Sequence, residues 1–378
     1  MTKYGVRAFL TEDNRHSAYL IEGLIELEKE GIISLQLSPM PLLIRNRWEW
    51  NGKAGKRSPK GYPWCPEIEV TQLETGKKLR IGIDLQDWAN FYSYHALKNC
   101  DIIFKRAFDH ALMDSIDPKL AKKIRPFGPN HACKVEDNRW QNTVKESRQI
   151  QTIVKIISEP GRALKKAMQV FTRKKLNTIH SDTNKTFEYK LKEPPDHDYI
   201  FFQVQCHIWH NHTHAKSLND FRAQLIRNLR KEFGNQFIGG MFFKGQIAPD
   251  YLDCVTSVDP NPVNYRKFVQ KASVVISTNG FGDSIPWKLN EYFQWGCCTV
   301  SQKNKHAFSV PIPDNTLEEF QTVEECVHIC KRLLADKNKR SLMKKNSIEY
   351  YNRHIQPVAS IQQAIEKAFL EKENLSPH

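Results

Sequence analysis

The second half of the sequence alternates short apolar runs with longer amphipathic segments, and this alternation constrains the fold more than any other feature. The apolar runs YIFFQVQ, FIGGMFF, SVVIST and CCTVS are separated by segments with helical spacing, such as SLNDFRAQLIRNLRKEFG. Strands that alternate with helices build a parallel sheet covered by helices on its faces. We therefore expect an α/β domain with a doubly wound sheet in this half.

The first half begins with the same strand, helix and strand unit. Residues 4–10 are predicted to form a strand, a helix is expected from Ser17, as its N-cap, to Lys29, and IISLQLS is the next strand. Residues 45–66 are rich in glycine and proline and are predicted to be irregular. The unit predicts a second Rossmann-like domain.

Charged residues follow two further apolar runs of the first half. Asp84 and Asp87 come after LRIGI, and Lys105 and Arg106 come after DIIF. Because α/β sheets bind their ligands at the carboxyl ends of strands, we expect these charges near a binding site.

The proline-containing sequence LKEPPDHD marks the boundary between the two halves. A chain of 378 residues suits two domains. We predict an N-terminal domain at 1–192, a C-terminal domain at 193–355 and a last helix at 356–378 that packs back on the N-terminal domain. Two facing Rossmann-like domains would leave a cleft between them.

The composition is that of a folded protein in a reducing compartment. Hydrophobic residues make up 40% of the chain, and no run of about 18 apolar residues exists. The first residues lack the apolar core of a signal peptide, and the nine cysteines contain no C-x-x-C pair. We expect a cytoplasmic protein, with contact at the inner face of a membrane as one further interpretation.

The formal net charge of +14 predicts an anionic partner. Much of the excess lies in residues 145–192, which read as basic amphipathic helices. These helices fit a solvated surface, an anionic membrane surface or a nucleic-acid groove. Because the segment lacks regular aromatic interleaving and the chain lacks zinc-finger or RNP motifs, we expect no nucleic-acid partner.

One stretch combines glycines, acids and a proline between two apolar runs: STNGFGDSIPWKLNEYFQWGCCTVS, residues 277–301. It predicts a strand, a loop with Gly280 and Gly282, a helix with Ser284 as N-cap and Pro286 in its first turn, and a second strand. The loop then lies beside the positive end of a helix dipole, where phosphates bind. The two glycines would allow a ligand to approach the backbone closely.

Within this stretch, DSIPWKLNE has an acid at each end, seven residues between them and a proline three positions after the first acid. It resembles the E-x7-E element of retaining group 1 glycosyltransferases with the GT-B fold, especially those of bacterial surface-polysaccharide clusters. The resemblance extends over residues 199–354 and is weak over the first half. It implies two facing Rossmann-like domains, with the nucleotide sugar bound mainly by the second and the acceptor mainly by the first.

The resemblance also implies residue roles. Glu291 matches the acid that holds the ribose hydroxyls, and Asp283 matches the acid near the donor sugar, although Glu is usual there. A cation would stabilise the leaving diphosphate. The implied catalytic residues are Asp283, Lys244 and Arg222. The implied donor-binding residues are Glu291, Gly280, Gly282, Ser284, Ile285, Lys288 and Asn279. The acceptor side would include Asn14, Asp84 and Asp87.

Other interpretations of some residues remain open. Lys288 and Glu291 are three apart on one helix and could simply pair with each other. Aromatic residues of the same helix could form core packing or a sugar-binding platform: Trp287, Tyr292, Phe293 and Trp295.

The sequence CHIWHNHTH contains metal-ligand types but lacks a zinc signature. Its members are Cys206, His207, His210, His212 and His214. We expect a loop at the cleft in which one histidine touches phosphate or acceptor, and we expect no metal site.

The sequence therefore predicts a glycosyltransferase that moves a sugar from a nucleotide-activated donor to a glycan or lipid-linked acceptor. Retention of configuration and independence of metals and other cofactors are expected from the resemblance. The alternative is a non-catalytic glycosyltransferase-like subunit that binds a partner or an anionic membrane surface through the basic segment.

Overall fold

The computed structural model describes residues 2–11, 14–39, 46–51, 54–158, 191–207, 213–244 and 248–374. Its strands in the first half are β1 Tyr4–Leu10, β2 Ile33–Pro39, β3 Asn46–Asn51, β4 Ala54–Gly61, β5 Glu67–Gln72, β6 Lys78–Asp84, β7 Phe91–Ser93, β8 Ile102–Lys105 and β9 Ile124–Pro126. Its strands in the second half are β10 Ile200–Gln205, β11 Phe237–Phe242, β12 Val274–Ser277, β13 Thr299–Gln302 and β14 Leu317–Phe320.

Helices connect and cover these strands. Those of the first half are α1 Asn14–Lys29, α2 Tyr94–Asn99, α3 His110–Met113, α4 Pro118–Ala121 and α5 Asn138–Ser158. Those of the second half are α6 Thr213–Phe233, α7 Pro262–Lys271, α8 Trp287–Gln294, α9 Val323–Ala335, α10 Lys337–Tyr350 and α11 Pro357–Asn374. None of these described helices is both long and apolar enough to cross a membrane.

The first half contains a six-stranded sheet in the order β2-β1-β5-β6-β8-β9. Strand β5 is antiparallel to both its neighbours, and the remaining pairs are parallel. Alternate residues of β1, namely Val6, Ala8 and Leu10, are buried in one core with the apolar face of α1. This half is thus a Rossmann-like domain with one reversed strand.

A second, three-stranded sheet in the order β4-β3-β7 accompanies this domain. It corrects the prediction that residues 45–66 are irregular, because β3 and β4 form an antiparallel pair there. The pattern Arg47, Trp48, Glu49, Trp50 alternates polar and aromatic residues, as a strand with one buried face requires. Trp50 is buried, and the rings of Trp48 and Tyr94 stack 5.4 Å apart.

The second half contains a five-stranded sheet in the order β11-β10-β12-β13-β14, with every pair parallel. All four residues of β12 are buried, as expected for a strand covered on both faces. Counted from β10, the order is 2-1-3-4-5, which reverses direction between β10 and β12. The predicted fold class, an α/β protein with two Rossmann-like domains, is confirmed.

Some element boundaries differ from the prediction. Helix α1 begins at Asn14, so Ser17 lies inside the helix, where it is buried, and does not cap it. Strand β14 was not predicted, because its sequence LEEF lacks an apolar run. Of the basic segment, residues 159–190 lie outside the described residues, so the surface interpretations stay open.

The last helix, α11, packs on the N-terminal domain although it follows the second one. Its residues Ile361 and Ile365 are buried in the same core as α1. A Cβ atom on Gly23 would lie 2.5 Å from the carbonyl oxygen of Pro357, so the two helices approach closely at this glycine. The Tyr19 hydroxyl donates to the Ile355 carbonyl beside this contact.

Candidate functional site

A cavity of about 290 Å³ lies at the carboxyl ends of β10 and β12. This is the point where the order of the parallel sheet reverses, and such points are where open α/β sheets bind ligands. Both domains contribute to its walls. The lining residues are Arg15, His16, Asp87 and Arg106 from the first half, and Phe202, Val204, Gln205, His207, Arg222, Ile276, Ser277, Thr278, Gly280, Phe281, Ser284, Pro286, Trp287 and Lys288 from the second.

A tight turn brings the chain from β12 to α8. The Gly280 N–H donates to the Ser284 carbonyl at 2.7 Å. A Cβ atom on Gly280 would lie 2.6 Å from the Ser284 Oγ, so the turn excludes larger residues. The glycine therefore serves the turn, and its N–H group is already used.

Helix α8 begins at Trp287 with Pro286 as its N-cap, which corrects the prediction that Ser284 is the N-cap. Proline has no side-chain acceptor, and no side chain caps this helix. The first N–H groups of α8 therefore lack a side-chain acceptor beside a cavity that Ser284, Pro286 and Trp287 line. An anion would be stabilised here by the helix dipole.

Lys288 extends this positive end of α8 into the site. Its Nζ donates to the Gln203 carbonyl and lies 4.5 Å from the centre of the Tyr265 ring. Burial lowers the pKa of Lys288; Glu291 opposes that effect and Arg222 adds to it. A bound anion would restore the charge that burial disfavours.

Arg222 of α6 lines the cavity and connects two parts of its wall. Its guanidinium is buried and donates to the Gln205 carbonyl at 3.2 Å, to the Thr278 hydroxyl at 3.1 Å and to the Asn279 carbonyl at 2.9 Å. Burial lowers the pKa of Arg222 to about 10. With these bonds Arg222 connects the end of β10 to the loop after β12. Its predicted part in catalysis stays a prediction.

Glu291 lies one turn beyond Lys288 on α8 and is half-buried. Burial raises the pKa of its carboxyl group, and Lys288 opposes this effect. Within the part of the chain that the structure describes, no group donates a hydrogen bond to this carboxylate. The cavity lining does not include Glu291, so its place beside the ribose hydroxyls stays a prediction.

The side chain of Asp283 pairs with a lysine outside the cavity lining. Its carboxylate pairs with Lys305 at 3.0 Å, and the Asp283 side chain is 40% exposed. The backbone φ of Asp283 is 57°, in the left-handed region that aspartate tolerates better than most residues. The cavity lining does not include Asp283, so its place beside a donor sugar stays a prediction.

Gly282 and Asn279 hold the same loop in place. The Gly282 N–H donates to the His214 Nε2 at 3.0 Å, and the Asn279 N–H donates to the Gln302 side chain at 3.0 Å. The Asn279 side chain also donates to the Lys303 carbonyl at 3.2 Å. Both residues therefore shape the loop, and their backbone N–H groups are used within the protein.

On the acceptor side, the structure separates the two predicted acids. Asp87 lines the cavity, whereas Asp84 is fully buried and binds Lys105 at 2.9 Å and the Tyr62 hydroxyl at 2.9 Å. Burial raises the pKa of Asp84, and Lys105 opposes this effect. Asp84 therefore belongs to the packing of its domain and not to a surface that an acceptor can reach. The side chain of Asn14 lies outside the described residues.

Lys244 and His207 differ in their position relative to the cavity. Lys244 is exposed just after β11, and His207 lines the cavity. The pKa of His207 is lowered to about 4 by burial and by the positive charges of Arg222 and Lys244. Residues 208–212, which include His210 and His212, lie outside the described residues. Among the residues that the structure does describe, no three acids, histidines or cysteines come together as a metal site.

Sequence reasoning left several cavity residues out of the site. Arg106 was noted at a strand end, but its contact with the second domain depends on docking of the two halves. Arg15 and His16 begin α1, and the Arg15 guanidinium lies 4.8 Å from the Trp287 ring centre. The only sequence signal for these residues was their position at the end of a strand or the start of a helix.

No protein-family model and no curated protein matches the sequence. Among solved structures, the chain is similar to the C-terminal domain of a glycosyl transferase group 1 family protein (LpcC) from Francisella tularensis. The identity is 12%, 47% of this chain and 94% of that chain are covered, and the TM-score is 0.29.

It is also similar to TarM, at 10% identity over 98% of this chain and 99% of that chain, with a TM-score of 0.35. A mutant of S. aureus TarM in complex with fondaparinux, α-GlcNAc-glycerol and UDP has 12% identity over 82% of this chain and 65% of that chain, with a TM-score of 0.32. Similarity at this level does not assign the chain to a family.

Proposed function

We propose that the protein is a glycosyltransferase that binds a nucleotide sugar in the cavity between its domains and transfers the sugar to a hydroxyl group of a glycan or lipid-linked acceptor. One observation carries this proposal. The uncapped start of α8 and the cation of Lys288 meet at the reversal point of the parallel sheet, in a cavity that both domains line.

The donor would lie along α8. The diphosphate would lie at the start of the helix, where the dipole and Lys288 would stabilise its negative charge. The ribose hydroxyls would bind Glu291, because a half-buried carboxylate accepts strong hydrogen bonds from hydroxyl groups. Asp283 would serve the transferred sugar after turning from Lys305, a change that costs little because exposed ion pairs are weak.

In the transfer step, the bond between the anomeric carbon and the diphosphate oxygen breaks and its electron pair leaves with the diphosphate. A new bond forms between the anomeric carbon and the acceptor oxygen, and the acceptor proton passes to the leaving diphosphate. We propose that configuration is retained and that protein cations, without a metal, stabilise the leaving group. We assign this role first to Lys288, which lines the cavity at the start of α8, and Lys244 stays a second candidate.

A donor screen tests the function. UDP, GDP, ADP and CMP sugars would be compared by thermal shift, and release of free sugar would then be measured for those that bind. The expected result is selective stabilisation by one nucleotide and slow release of its sugar. Binding without any release or transfer would favour the non-catalytic subunit, and absence of binding to every nucleotide would refute the donor site.

A further inference from the structure

Arg106 joins the two domains at the edge of the cavity. It follows β8, and its side chain is only 2% exposed. One terminal nitrogen pairs with the Asp87 carboxylate, and the other donates to the Ile285 carbonyl of the second domain. Ile285 precedes Pro286, the N-cap of α8. Because buried carbonyl groups need donors, the start of α8 depends on a donor from the opposite domain.

Contacts beside Arg106 fix the same loop. A Cβ atom on Gly282 would lie 3.1 Å from the Trp88 ring and 3.3 Å from the Asp87 carbonyl oxygen. The rings of Trp88 and Phe281 meet edge to face, with centres 5.2 Å apart. The first domain therefore contacts residues 281–285 through the adjacent residues Asp87 and Trp88 and through Arg106.

Asp87 lines the cavity beside Arg106, and it is the more exposed of the two. Its side chain is 34% exposed, and its Oδ1 binds Arg106. Among the described residues, none donates a hydrogen bond to the Asp87 Oδ2. An ionised carboxylate has about four acceptor positions, so Asp87 retains acceptor capacity after its pairing with Arg106.

We propose that Arg106 and Asp87 form a positioning pair for the acceptor. Arg106 docks the first domain on the start of α8, and Asp87, held by Arg106, accepts a hydrogen bond from the acceptor hydroxyl and aims its oxygen at the anomeric carbon. Asp87 does not need to take up the acceptor proton, since that proton leaves with the diphosphate. This inference rests on the proposed function and adds the residues that orient the acceptor.

Water, the smallest hydroxyl acceptor, makes the test independent of the acceptor's identity. In Asp87→Asn, hydrolysis of the donor found in the screen should fall by at least about tenfold, since small losses of orientation cost large factors in rate. Donor affinity, measured by calorimetry, should change by less than about twofold, because the donor contacts lie on the other wall. Asp114→Asn, at an exposed position of the same domain, is the matched control.

The Arg106 contact is tested by hydrogen exchange at residues 281–289. Arg106→Met should speed exchange in these residues but not in β10 and β11, and should lower hydrolysis. Arg106→Lys should restore part of the exchange protection and part of the hydrolysis rate, because lysine keeps the charge but can donate to fewer acceptors.

Two outcomes would overturn the inference: unchanged hydrolysis in Asp87→Asn, or a loss of donor affinity as large as the loss of rate. If hydrogen exchange at residues 281–289 is unchanged in Arg106→Met, then Arg106 does not dock the first domain on the start of α8. If the wild-type protein binds no nucleotide at all, the proposed function itself fails, which is a separate result.

Discussion

Lys288 of α8 donates a hydrogen bond to the backbone carbonyl of Gln203 in β10. The bond links the helix that follows β12 to the neighbouring strand at the point where the sheet order reverses. It therefore places an ammonium group beside the start of α8, in surroundings that disfavour its charge. A negatively charged ligand bound here would stabilise the charged form of this amine.

The affinity for a nucleoside diphosphate should depend on pH through Lys288. Burial lowers the pKa of Lys288 in the empty site, and bound phosphate favours the charged amine, so binding takes up a proton once pH exceeds the lowered pKa. Affinity should therefore fall as pH rises toward the ordinary lysine value of about 10.4. Calorimetry on wild type and Lys288→Met measures this, and the variant should bind more weakly with a flatter profile. An equally steep profile in the variant would exclude Lys288 as the cause.

Substitution of Glu291 should weaken binding of the nucleotide. If the Glu291 carboxylate binds the ribose hydroxyls, Glu291→Ala should cost roughly 10- to 100-fold in affinity, because hydrogen bonds to a charged group contribute about 1.5–3 kcal/mol. Glu324→Ala, at an exposed position in the first turn of α9, is the control. Unchanged nucleotide affinity in Glu291→Ala, with the fold intact by circular dichroism, would remove Glu291 from the site.

Two variants can show whether Asp283 serves the transferred sugar or only the ion pair with Lys305. If Asp283 serves the transferred sugar, Asp283→Asn should lower donor hydrolysis by about tenfold, because bonds from sugar hydroxyls to a carboxylate are stronger than those to an amide. Lys305→Met should change the rate by less than about twofold, since the exposed ion pair contributes little. Equal effects of the two variants would assign Asp283 to the ion pair alone.

The alternation of strands and helices predicted the sheet beside the cavity, because the apolar pattern of each strand can be recognised from neighbouring residues alone. Strands covered on both faces must be apolar along their length, so β10 and β12 stand out in the sequence. The loop after β12 was predicted for a similar reason, since glycine and proline restrict backbone conformation within a few residues. Local patterns therefore predicted the strands and the loop that lie beside the cavity.

The contacts within the site could not be predicted in the same way. Arg106 and Ile285 are 179 positions apart, and their bond depends on how two domains dock. Ser284 satisfied the local preference for an N-cap, but its carbonyl closes the turn with Gly280, and Pro286 took the cap position. The three partners of Arg222 are likewise set by tertiary packing.

Arg222 should contribute more to stability than exposed arginines of the same helix. Arg222→Met leaves the Gln205 and Asn279 carbonyls and the Thr278 hydroxyl without this donor, so the free energy of unfolding should fall by about 2–4 kcal/mol. Arg227→Met removes an exposed pair with Asp253 and should cost less than about 1 kcal/mol. Urea denaturation measures both, and equal losses would contradict the structural role of Arg222.

His131 should make the protein less stable in mild acid. It is buried, and its Nδ1 accepts a hydrogen bond from the Asn290 amide at 2.8 Å, which an imidazolium cannot do. Burial lowers the pKa of His131 from 6.5 to about 4. Between these values the unfolded chain binds a proton that the folded chain excludes, so the free energy of unfolding falls as pH falls through this window.

At about 1.36 kcal/mol for each pKa unit, the total loss from His131 is on the order of 3 kcal/mol. Unfolding by urea at pH values from 7 to 4 should therefore show a shallower acid loss in His131→Gln than in wild type, even if the variant is less stable at pH 7. His328→Gln, at an exposed position of α9, should keep the wild-type slope. The same slope in His131→Gln and wild type would show that His131 is not the source of the acid sensitivity.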